Sequence, residues 1–197
     1  MAEGSVWRDF WSLMALFALA QLVYVGRVNP QIFVHRMGLK KGTETWDWVW
    51  FIVFVPAFIA ILVVAGNDLG AGGALLPPWA RTVGVVLFLL GGCVFLWAMG
   101  ENPFFEKTVR IQHERGHHVI ETGPYRIVRH PGYVGLVAWV LSVPLVLTSP
   151  DALLPAGLTA IWCVVRTALE DRTLHEKLPG YAEYAAQVRY RLVPGVW

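Results

Sequence analysis

Apolar and charged positions separate along this chain into blocks. Five runs carry no Asp, Glu, Lys or Arg: residues 10–26, 48–67, 82–100, 130–150 and 152–165. A helix crosses the hydrocarbon core of a bilayer with roughly 20 apolar residues, and about 17 suffice. The first four runs meet that length. The fifth is short, but Asp151 and Arg166 at its ends can snorkel or face protein at the membrane boundary. The pattern predicts an all-α integral membrane protein with five transmembrane helices. The turn Ser149-Pro150-Asp151 makes the last two an antiparallel hairpin, with Pro144 and Pro155 inside its helices. Residues 10–26 lack a basic leader and a small-residue cleavage site, so they read as a retained helix and not a signal peptide.

Charge placement gives the orientation. Basic residues are sparse in the N-terminal tail (Arg8) and the second connection (Arg81), and absent from the fourth. They gather in the first connection (Arg27, Arg36, Lys40, Lys41), the third (Lys107, Arg110, Arg115, Arg126, Arg129) and the C-terminal segment (Arg166, Arg172, Lys177, Arg189, Arg191). Positive connections stay cytoplasmic, so the N-terminus is placed outside and the C-terminus inside. Hydrophobic residues make up 56% and charged residues 15%, which excludes an ordinary soluble domain with about a quarter charged. A net charge of +2 with no basic aromatic stripe offers nothing to nucleic acid. Cys93 and Cys163 fall within apolar runs and read as small buried hydrophobes.

The outer loop 66–78 is rich in Gly and Pro but lacks the preceding strand and following Lys of a phosphate loop. The polar inner segments 101–129 and 166–197 flank the last hairpin and would meet at its cytoplasmic mouth. This divides the chain into a three-helix scaffold, 1–100 with inner loop 27–47, and a catalytic region, 101–197. Leu178, Tyr181, Tyr184, Ala185 and Val188 recur at helical spacing, predicting an amphipathic helix against the membrane or the bundle with interfacial tyrosines.

Three clusters could carry chemistry. Residues 122–133 place two tight bends, Gly123-Pro124 and His130-Pro131-Gly132, around Tyr125, Arg126, Arg129 and Tyr133, close to a helix start. That loop suits an anionic ligand at the helix N-terminus, or else a rigid re-entry whose arginines meet lipid phosphates. Arg166 and Glu170 stand at i and i+4 on one helical face. A salt bridge between them would be worth only tenths of a kcal/mol, and a charge so near lipid suggests function. His113, His117 and His118 form a titratable loop; His113 and His117 would share a face if helical, yet no Cys or Glu-x-x-His pattern supports a metal.

The string GPYRIVRHPGY, then RTALED, Tyr181-x-x-Tyr184 and Arg191-Leu192-Val193-Pro194, resembles the isoprenylcysteine carboxyl methyltransferase family, with phospholipid N-methyltransferases as more distant relatives. The likeness covers about residues 112–194. It implies a multi-pass S-adenosylmethionine-dependent methyltransferase with a lipophilic or lipidated acceptor, most simply a carboxylate. Its cofactor pocket would lie between the His-Pro loop, the last two helices and the tail. By position, His117, His118, Val119, Ile120, Tyr125, His130, Pro131, Gly132 and Tyr133 match cofactor-binding stretches, and Gln112 an upstream contact. Glu170 matches the cofactor-binding carboxylate, Arg166 the arginine that orients the acceptor, and Arg129 a further arginine important in the family. Eukaryotic members often carry a run of glutamates where this chain has Ala168-Leu169-Glu170-Asp171, which implies a difference in acceptor recognition.

The sulfonium of such a cofactor suits the faces of Tyr125 or Tyr133. An ionised acceptor carboxylate needs no strong general base. The alternatives are phospholipid N-methylation, thiol S-methylation, an NADPH-dependent enzyme like the sterol reductases, which share a similar tail but are much longer, and a non-catalytic membrane scaffold. No Gly-rich loop follows a strand, which excludes a Rossmann methyltransferase. No metal, no nucleic acid and no obligate protein partner are inferred. The membrane would be cytoplasmic in a prokaryote and endoplasmic reticulum in a eukaryote.

Overall fold

A computed structural model describes residues 3–35, 42–72 and 75–197. The basic residues Arg36, Lys40 and Lys41 that weigh in the orientation lie outside the described residues. The described chain is all-helical, with α1 (Glu3–Val28), α2 (Gln31–His35), α3 (Thr45–Gly70), α4 (Pro78–Glu101), α5 (Pro131–Val146), α6 (Leu153–Lys177) and α7 (Tyr181–Gln187).

Four of these, α1, α3, α4 and α6, are long and apolar enough to cross a membrane. The short element is not the one the sequence singled out. α6 runs for 25 residues, because it continues through Arg166, Glu170 and Asp171, whose charges are satisfied by protein. α5 has 16 residues, or about 24 Å at 1.5 Å per residue. Its apolar run ends in an irregular turn where Thr148 takes φ 54. Ser149 Oγ in that turn donates to Asp68 of α3 and accepts from the Ala152 N–H at 3.1 Å, which ties the outer hairpin to the scaffold.

α4 and α5 make the most intimate contact. A Cβ on Gly135 would lie 2.6 Å from the Gly91 carbonyl oxygen and 2.7 Å from the Phe95 nitrogen. One on Gly84 would lie 2.7 Å from the Val146 nitrogen. The two backbones therefore touch, as small residues allow between membrane helices. α3 meets α6 through paired indoles: Trp50 Nε1 donates to the Trp162 carbonyl and Trp162 Nε1 to the Trp50 carbonyl, each at 3.3 Å. α1 is fastened to α4 at both ends, by the Asp9–Arg81 ion pair and by Asn29 Nδ2, which donates to Met99 O at 3.3 Å.

Large side chains on the outer faces stay exposed, among them Leu16, Ile52, Leu90, Leu154 and Ile161, the belt a lipid-facing surface requires. Cys163 is buried, but Cys93 lies on an exposed face of α4 and not in the core. Two interiors result. One is aliphatic, built from Val6, Phe10, Ile61, Ala65, Val140, Val143 and Val146. The other packs Ala98 against Tyr125, Leu178, Tyr181 and Tyr184.

The helix contact yields a paired test. Gly135→Ala is expected to destabilise the protein by about 1–3 kcal/mol, since the methyl group meets backbone that cannot swing aside. Gly157→Ala, where a Cβ meets nothing within 4 Å, is expected to be neutral or stabilising by up to about 1 kcal/mol. Thermal unfolding in detergent reads both, as a lowered and an unchanged or raised Tm.

Candidate functional site

The segment between α4 and α5 is irregular, and side chains pin its turns. Asn102 ends α4: its Oδ1 accepts the Phe104 N–H at 2.8 Å and its Nδ2 donates to the Tyr125 hydroxyl at 3.2 Å. Glu106 and Glu114 both accept hydrogen bonds from Arg110, at 2.8 and 2.7 Å. Gln112 Nε2 donates to Phe104 O at 2.8 Å, and its Oε1 accepts from Arg115 at 2.6 Å. His113–Arg115 is a single 3-10 turn stopped by Gly116 at φ 64, so His113 and His117 do not share a helical face.

A second group of bonds closes the C-terminal segment over the His-Pro loop. The buried Asp171 carboxylate accepts from Arg129 Nε at 2.8 Å and Nη2 at 3.1 Å, from the Tyr181 hydroxyl at 2.9 Å and from Arg191 Nε at 2.7 Å. His130 Nε2 stands 3.1 Å from the same carboxylate. Arg129 Nη1 also donates to the carbonyls of Val188 and Arg189, and the backbone N–H groups of Arg129 and His130 donate to Tyr190 O and Arg191 O. The predicted tail helix is present as α7, but its aromatic face turns inward. Tyr181 and Tyr184 are buried, and the Tyr184 hydroxyl donates to Tyr125 O at 2.7 Å.

Between these two clamps lies a cavity of about 280 Å3. It gathers Gln112, His117, His118, Val119, Ile120, Tyr125, Arg129, His130, Gly132, Tyr133, Arg166 and Glu170 into one wall. Pro131 does not line it; this residue starts α5, where its fixed φ suits the first helical turn. The opposite wall was not read from the sequence. It consists of Trp50, Phe51 and Phe54 from α3, Phe95 from α4, Phe104–Arg110 from the irregular segment, and Leu174, Leu178, Tyr181 and Tyr184.

Two assignments change in detail. Arg166 does not pair with Glu170. Its Nε donates to Asp47 Oδ1 at 2.8 Å, its Nη2 donates to Lys107 O at 2.6 Å, and its guanidinium stacks 4.0 Å from the Trp50 ring centroid. Glu170, half-buried, instead accepts the Tyr133 hydroxyl at 2.6 Å. Asp47 went unnoticed in the sequence because an acidic residue in the first turn of a helix reads as a dipole partner.

Burial pushes the Tyr125 and Tyr184 phenols above their ordinary range, so both are neutral hydrogen-bonding groups. Burial, with the positive neighbours His118, Arg110 and Arg115, holds His117 down to about 4. Its geometry agrees, because Nδ1 accepts the Gln112 N–H at 3.3 Å and must be unprotonated to do so.

Comparison with known proteins bears on this arrangement. Residues 84–176 match the isoprenylcysteine carboxyl methyltransferase (ICMT) family. A probable protein-S-isoprenylcysteine O-methyltransferase of Oryza sativa subsp. indica is 33% identical over 69 residues, 34% of this chain and 36% of that protein. Protein-S-isoprenylcysteine O-methyltransferase B of Arabidopsis thaliana is 26% identical over 114 residues, covering 56% of this chain and 57% of its own length. The chain thus spans about a third to somewhat over half of the length of these relatives. The structure of a eukaryotic intramembrane Ras methyltransferase superposes on all of this chain and 68% of its own, with TM-score 0.69 and 18% identity, a likeness of fold. The chain therefore resembles this family as the motif string implied, and its apolar helices make it an integral membrane protein.

Two outcomes follow from the clamps. Asp171→Asn removes the one carboxylate among Arg129, Arg191 and His130 and is expected to cost about 3–5 kcal/mol, read as a lowered Tm in detergent. His117 is neutral in the fold with a value near 4, against 6.5 when unfolded, so the unfolded chain takes up the proton first as pH falls. Its contribution is complete above about pH 6.5 and is lost as pH drops toward about 4. His117→Asn, which keeps an acceptor near the Nδ1 position, is expected to show a smaller fall in Tm between pH 7 and pH 5 than the wild type.

Proposed function

We propose that this chain is a multi-pass membrane methyltransferase that moves a methyl group from S-adenosylmethionine to the carboxylate of a lipophilic acceptor, a prenylated cysteine being the simplest. The observation that carries this reading is one cavity in which an arginine, a carboxylate and several aromatic faces meet beside an apolar wall.

The donor set suits the cofactor. Glu170, fixed by Tyr133, is placed to accept from ribose hydroxyls or an ammonium group. Tyr125, Tyr133 and Phe104 offer aromatic faces to a sulfonium. His117, His118, Val119, Ile120 and Gln112 complete that side, with His130 and Gly132 behind it. When bound, S-adenosylmethionine supplies an electrophilic methyl group, and an ionised carboxylate accepts it without losing a proton. Arg166 grips that carboxylate through guanidinium N–H groups not engaged by Asp47 or Lys107, and so orients it. Arg129 acts at one remove, holding the His-Pro loop against the tail through Asp171. Trp50, Phe51, Phe54 and Phe95 receive the acceptor's hydrocarbon chain and exclude water.

In this reading α5 is the fifth span. The flanking residues and local thinning of the bilayer make up its missing length of about 6 Å against a 30 Å core. The N-terminus is outside and the mouth of the cavity faces the cytoplasm. Residues 1–100 form the scaffold and 101–197 the catalytic region.

The test is transfer of radiolabelled methyl groups into host membrane extracts by purified protein. Base-labile, volatile label marks a methyl ester and is the expected result; base-stable label would overturn the carboxylate acceptor. Glu170→Ala is expected to weaken S-adenosylmethionine binding about tenfold or more, near 1.4 kcal/mol. Arg166→Ala is expected to leave that binding nearly intact and lower kcat/KM for the acceptor by about 10- to 150-fold, the worth of charged hydrogen bonds.

A further inference from the structure

Asp47 is fully buried in the first turn of α3, and it lies behind Arg166, outside the lining of the cavity. Asp47 and Trp50 stand at i and i+3 on one face of α3, and Trp162 and Arg166 at i and i+4 on one face of α6. The two faces interlock. The indoles exchange hydrogen bonds with each other's carbonyls, Trp50 stacks on the guanidinium, and the Asp47 carboxylate takes Nε. The irregular segment closes the group from the side: Lys107 O accepts from Arg166 Nη2, and the Val109 N–H donates to Asp47 Oδ2 at 2.8 Å.

A guanidinium has five N–H donors in one plane. Asp47 and Lys107 occupy Nε and one proton of Nη2, which lie along one edge. Trp50 covers a face at 4.0 Å, so rotation about the side chain would break several contacts together. The edge formed by Nη1 and the second Nη2 proton is the one that accepts a carboxylate in bidentate fashion. A buried ion pair adds little net stability over a well-packed apolar pair, whereas its geometry is directional.

We infer that Asp47 is a positioning residue that selects the Nη1–Nη2 edge of Arg166 for the acceptor. The inference rests on the methyltransferase reading. Asp47 touches neither ligand, and its effect on transfer passes through Arg166.

The experiment compares wild type, Asp47→Asn, Arg166→Ala and the double variant, measuring S-adenosylmethionine binding and the kinetics of methyl transfer to a prenylated cysteine with a free carboxylate. Asp47→Asn is expected to bind S-adenosylmethionine within about threefold of wild type while kcat falls about 10- to 100-fold, the cost of small misplacement. In the Arg166→Ala background the same change is expected to alter transfer less than about twofold, because coupled residues are non-additive. Additive losses overturn the inference. If Asp47→Asn yields no folded, cofactor-binding protein, Asp47→Glu decides. That variant keeps the charge and shifts it by one methylene: impaired transfer with intact cofactor binding supports positioning, and joint loss of both marks Asp47 as structural only. A wild-type protein that binds no S-adenosylmethionine fails the parent reading instead, which the binding arm reveals before any variant is compared.

Discussion

A carboxylate removed from water costs several kcal/mol unless donors surround it, and Asp171 has found them in every segment that must stay together. Arg129 and His130 come from the His-Pro loop, Tyr181 from α7, and Arg191 from the segment beyond it. α6 supplies the acceptor. These pieces lie 10 to 42 residues from Asp171 along the chain, and the irregular strands among them have no sheet or helix ladder of their own. Their backbone groups are satisfied because Arg129 reaches the carbonyls of Val188 and Arg189. Without this anion the loop and tail have no reason to adopt one arrangement, and the cavity has no inner wall.

The membrane-embedded half rests on a different constraint. With lipid outside, no hydrophobic force drives helices together, so close approach has to come from shape. Gly84, Gly91 and Gly135 bring α4 and α5 into backbone contact. That contact sets where α5 begins, and hence where His130 and Tyr133 stand relative to Phe105 and Glu170. Shape fixes the helices, and charge fixes the segments that hang from them.

How much of this the sequence disclosed varies with the kind of signal. Blocks without charge marked the long helices well, because burial in lipid forbids charge over a whole run. They misjudged α6, whose polar half continues the helix since Asp47, Asp171 and their partners neutralise one another inside protein. The cavity wall from Gln112 to Glu170 was legible through a motif string, and not through periodicity. The facing wall was silent. Phe104, Phe105, Glu106 and Arg110 sit in irregular backbone with no period to read, and Trp50 and Asp47 belong to a helix that looks like plain scaffold. Arg166 and Asp47 are 119 positions apart, a distance at which no local spacing rule operates. The triplet Trp48-Asp47-Trp46 at an apolar helix start was the one available hint, since an acid flanked by indoles is poorly hydrated.

The division of the interior into an aliphatic block and an aromatic, hydrogen-bonding block also determines traffic. Val140, Val143, Ala156 and Ile61 form a dry stopper that no hydrated solute can pass. A polar molecule lodged among Tyr125, Tyr133 and Glu170 has to leave by the door through which it entered, and its spent form must vacate before a fresh one arrives. Oily cargo is under no such rule, for it can slip in sideways from the bilayer. The protein therefore behaves as a cul-de-sac for water-borne ligands and a siding for lipid-borne ones, and the membrane's seal to ions stays intact through every exchange.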